Sequence, residues 1–75
     1  MEMKMETRDM VRMANQMASF FTAYGEVEGT KDLAAHINNF WEPRMRKMFF
    51  EYVAQGGKDL APMVLAAVPM VKPVQ

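Results

Sequence analysis

The side chains able to do chemistry are few, and their spacing does not support it. The chain has no cysteine and one histidine, His36. Disulfides, iron–sulfur clusters and cysteine zinc sites are therefore excluded, and so is a cage of several histidines. Nucleophilic catalysis needs a nucleophile beside a base. Ser19 lacks a glycine elbow and falls inside a stretch of helical periodicity. His36, between Ala35 and Ile37 in a second helical stretch, reads as a surface or interface hydrogen-bonding group. Glu26 and Glu28 lie in a glycine-flanked stretch read as a turn, and Glu2 and Glu6 near the start. Neither pair has the cleft that glycoside hydrolysis requires or the ligand loop that calcium requires. Gly56-Gly57-Lys58 matches the end of a phosphate loop, but lacks the earlier glycine and a leading strand. The sequence thus predicts a chain with no catalytic, cofactor-binding or metal residues of its own.

One short segment is dense in recognition chemistry. Phe40-Trp41-Glu42-Pro43-Arg44-Met45-Arg46 contains the only tryptophan, a helix-breaking proline and two arginines. Tryptophan and arginine are the types most enriched among interface residues that dominate binding energy. Arg44 and Arg46 sit in the first turn of a predicted helix, where the dipole disfavours cations, and this favours anionic partners outside the helix. Glu42 is spaced to pair with Arg46. Within the segment, Phe40 is assigned mainly to the core, Trp41 is left between core and surface, and Arg44 and Arg46 are assigned to partner contact.

Four helical pieces position these residues. The first runs from Asp9 to Tyr24, with Met10, Met13, Ala14, Met17, Phe20, Phe21 and Tyr24 on one face, Thr7 or Asp9 as cap, and Gly25 as stop. The second runs from Lys31 to Phe40 behind a Thr30 cap, with Leu33, Ala34, Ile37, Phe40 and Trp41 on one stripe. Pro43 ends it and opens the third, Pro43 to Gln55, whose apolar face is Met45, Met48, Phe49, Tyr52 and Val53 and whose stop is Gly56-Gly57. The fourth runs from Leu60 to Val68 behind an Asp59 cap, with Met63, Val64, Leu65 and Val68 apolar. No segment alternates, so no sheet is predicted. The expected fold is all-α: three or four short helices in a single domain over residues 1–75, with 1–8 frayed and 69–75 an extended tail.

Size and composition point to a partner. A chain of 75 residues buries only about 60% of its unfolded surface, and small domains usually add a disulfide, a metal or another chain to persist. The first two staples are missing from this composition. Hydrophobic residues make up 51% of it and methionine supplies ten, a flexible type that recurs on adaptable binding surfaces. Acids and bases balance at nine each, without the basic excess of a nucleic-acid binder. The apolar segment Leu60–Val71 spans 12 residues with two prolines, short of a membrane span. The start, MEMKMETRDM, lacks the apolar run of a secretory signal, so a cytoplasmic protein is expected.

Met13-Ala14-Asn15-Gln16-Met17 with Phe20-Phe21, His36-Ile37-Asn38, the Phe40 to Arg46 string and Leu60-Ala61-Pro62-Met63-Val64 with Ala66 and Ala67 resemble the delta subunit of bacterial NAD-dependent formate dehydrogenase. The similarity runs from Val11 to Val68, and the FWEPRMR string is its specific part. The resemblance implies a non-catalytic piece of an enzyme that oxidises formate to carbon dioxide and reduces NAD. It also implies a large alpha subunit with a molybdenum or tungsten pterin and iron–sulfur clusters, and beta and gamma subunits with flavin (FMN) and further clusters. It supplies Asn15, Gln16, His36, Asn38, Trp41, Arg44 and Arg46 as polar or anchor positions. With Phe40, Pro43 and Met45 they form the expected partner interface, most directly with the alpha subunit. Two other readings stay open: a transient assembly chaperone for the cofactor-bearing subunit, and a small helical nucleic-acid-binding module.

Overall fold

The computed structural model describes residues 6–74, so Met1, Glu2, Met3 and Met5 lie outside the described residues. Four α-helices follow in order: α1 (Thr7–Phe21), α2 (Glu26–Phe40), α3 (Pro43–Ala54) and α4 (Pro62–Ala67). Single 3₁₀ turns extend α1 over Thr22–Tyr24 and α4 over Val68–Met70. Among the described residues there is no strand, and the fold is all-α as the periodicity predicts. No helix among them is long and apolar enough to cross a membrane.

The core draws residues from all four helices. Met10, Ala14 and Ala18 of α1 meet Leu33, Ala34 and Ile37 of α2, Phe49 of α3, and Val64 and Ala67 of α4. Leu60, Trp41 and Val71 close it from the connecting segments. Phe49 is fully buried, with its ring edge-on to Trp41 at 5.9 Å and 90°. Burying a side chain of this size is worth about 1.5–3 kcal/mol. Four of the twelve core residues are alanines, Ala14, Ala18, Ala34 and Ala67, which lets the helices approach closely.

α2 is longer than its periodicity indicates. It starts at Glu26, directly after Gly25 at φ +91°, so GEVEG is helix and not a turn. Two acids in the first turn favour this early start, because they oppose the positive end of the helix dipole. Thr30 consequently lies inside α2. It does not cap; its hydroxyl donates to the Glu26 carbonyl at 2.6 Å. Gly29 explains why a weak helix former is tolerated here. A Cβ at this position would overlap the Phe21 carbonyl oxygen and fall 2.8 Å from Met63 Cε. The glycine lets the start of α2 cross directly over the end of α1.

The other boundaries follow local chemistry with smaller corrections. α1 starts at Thr7 with Glu6 at the cap position, and neither Thr7 nor Asp9 caps it; Asp9 pairs with Arg12 in the first turn at 3.2 Å. α3 starts on Pro43 and ends in a Schellman arrangement, in which Gly57 N–H donates to Tyr52 O and Gly56 N–H to Val53 O. Gly56, at φ +118°, supplies the conformation this ending needs. α4 begins on Pro62 behind Ala61, two residues later than predicted, and Asp59 does not cap it. Asp59 itself adopts φ +67° in the turn leading to α4.

The crossing at Gly29 sets a test. Alanine is the better helix former by about 0.8–1 kcal/mol. Even so, Gly29→Ala is expected to destabilise by a net of about 1–3 kcal/mol, because the overlap is with backbone. Thermal unfolding followed by circular dichroism checks the sign; a stabilised variant would show that the helices separate at little cost.

Candidate interaction surface

The residues marked by sequence divide into two groups in space. Asn15 and Asn38 hold the chain's own backbone. The Asn15 amide donates to Asp59 O at 2.8 Å and its oxygen accepts from Ala61 N–H at 2.8 Å. Asn38 repeats the pattern, donating to Met70 O at 3.0 Å and accepting from Lys72 N–H at 2.7 Å. Each amide satisfies a carbonyl and the N–H two residues further along, one clamp before α4 and one after it. Arg46 adds a third tie, donating from Nη1 to Lys72 O at 2.8 Å. The expected Glu42–Arg46 ion pair is not made: the Arg46 head reaches the C-terminal segment instead. Its Nε is buried with no hydrogen-bond partner among the described residues.

Phe40 does not take the core role assigned to it, and Trp41, left between core and surface, does. Trp41 is 5% exposed and packs on Phe49, whereas Phe40 is 72% exposed. The cause is the helix end. Phe40 is the last residue of α2, and Trp41 adopts extended backbone (φ −85°, ψ 129°), which turns its indole into the core. A periodicity carried to the helix end assigns Phe40 wrongly and cannot place Trp41. Consecutive residues on one helix have the same effect in α1: Phe20 and Phe21 differ by about 100° around the axis, so both cannot face the core. Phe21 is half-buried, and Phe20 is 63% exposed. Tyr24, also assigned to the core face, is exposed because the chain has passed into the 3₁₀ turn.

These exposed rings are continuous. Phe20 and Phe21 meet edge-on at 5.1 Å, and Tyr24 packs against both. Phe21 lies 6.0 Å from the His36 ring, which lies 4.7 Å from Phe40. The result is an aromatic stripe from the end of α1 to the end of α2. Beneath it runs an open groove of about 550 Å³ lined by Met13, Gln16, Met17, Phe20, Phe21, His36, Phe40, Trp41 and Met45. Its wall is aromatic rings and flexible thioethers, with Gln16 and His36 as its polar members. Contiguous exposed apolar area of this kind is uncommon on monomeric proteins and is enriched at interaction sites. Pro43 and Arg44, which precede Met45 in α3, are exposed and do not line the groove.

The groove brings together Gln16, His36, Phe40, Trp41 and Met45 from the expected interface, and leaves Asn15, Asn38 and Arg46 as internal ties. Phe20 in the groove and Tyr24 in the adjoining stripe are contributors the sequence reading placed on the core face. Their signal is the excess of apolar residues on α1 over what a narrow core stripe can hold. Among the described residues no cluster of three or more histidine or acidic side chains forms a metal-binding group.

Removing a clamp loses two hydrogen bonds at or near the surface, each worth about 0.5–1.5 kcal/mol, so about 1–3 kcal/mol per site. Asn15→Ala and Asn38→Ala are each expected to lower stability by that amount. Amide hydrogen exchange locates the effect: Ala61 N–H should exchange faster in the first variant and Lys72 N–H in the second. Unchanged protection would mean that the clamps do not hold the segment.

Residues 9–68 match a family model described as NADH-dependent formate dehydrogenase delta subunit FdsD. No curated protein and no solved structure matches the chain.

Proposed function

The chain belongs to the delta-subunit family of NADH-dependent formate dehydrogenase, and on that premise we propose that it is a non-catalytic accessory subunit that docks on the multisubunit enzyme and stabilises or helps assemble it. The observation that carries the docking is the aromatic stripe. A body this small leaves Phe20, Tyr24, Val27 and Phe40 more than half exposed, three of them rings in one continuous contact series. Covering such rings favours association, and aromatic side chains lose little conformational entropy when held.

The mechanism is thermodynamic. A chain that binds the assembled enzyme and not its separate parts shifts the equilibrium toward assembly by mass action. In this reading the chain works in the cytoplasm and holds no cofactor. The molybdenum or tungsten pterin, iron–sulfur clusters, FMN and NAD belong to its partners. The large alpha subunit is the proposed direct contact, within a complex that also contains beta and gamma subunits.

A transient chaperone would use the same surface but leave before turnover, so stoichiometry separates the two roles. Co-expression of the other subunits with and without this chain is expected to give several-fold less intact complex without it. Activity per molybdenum or tungsten in the intact fraction should be unchanged, and native mass spectrometry should find the chain in the active complex. Lower activity per metal at equal assembly would contradict an accessory role.

A further inference from the structure

No further inference is drawn: the strongest candidate, the open aromatic groove between α1 and α2 lined by Met13, Met17, Phe20, His36 and Phe40, carries nothing beyond the docking already proposed, because nothing in the structure shows what covers it.

Discussion

Two side-chain amides hold the last part of the chain across the first two helices, and the core cannot close without it. α4 has only six residues, too short to persist by its own hydrogen bonds. It supplies Val64 and Ala67 to the core, with Leu60 before it and Val71 after it. Asn15 fixes the entry to this segment and Asn38 fixes the exit, each with a donor and an acceptor on a fixed plane. Arg46 ties the exit to α3 as well. These bonds satisfy backbone groups that no helix or sheet would otherwise pair. They also restrict a segment whose chain entropy would otherwise oppose packing.

The clamps and the groove divide the surface of α1 between them. Asn15 points toward the C-terminal segment, and Met13, Gln16, Met17 and Phe20 point toward the groove. The helix thus carries polar ties on one side, core along the middle and apolar residues on the other, with Arg8, Arg12 and Ser19 left to solvent. Its end is crowded at Gly29, where α2 passes against the Phe21 carbonyl. That crossing places His36 and Phe40 opposite Phe21, so the aromatic stripe is a product of the close α1–α2 approach.

The motif that carried the family resemblance is therefore mixed in purpose. Asn15, Asn38 and Arg46 keep the fold, and Trp41 fills it. Gln16, His36, Phe40 and Met45 line the open groove. A residue can mark a family because the fold needs it, and a string such as FWEPRMR joins both kinds in adjacent positions.

The sequence by itself determined the all-α class, the breaks at Gly25, Pro43 and Gly56, and much of the core, including Met10, Ala14, Leu33, Ile37, Phe49 and Val64. These follow from local chemistry: periodicity within a helix, the fixed φ of proline and the positive φ open to glycine. It also excluded chemistry on this chain that needs thiolates, because a residue type that is absent cannot act. Only the tertiary structure decided that α2 begins at Glu26, that Trp41 turns inward while Phe40 stays out, and that the two asparagines serve as clamps. Each of these depends on a neighbour on another element: Phe21 for Gly29, Phe49 for Trp41, and Asp59, Ala61, Met70 and Lys72 for the asparagine amides. A single helix's pattern holds no record of which distant backbone will need a hydrogen bond, and that need assigned the polar residues their places.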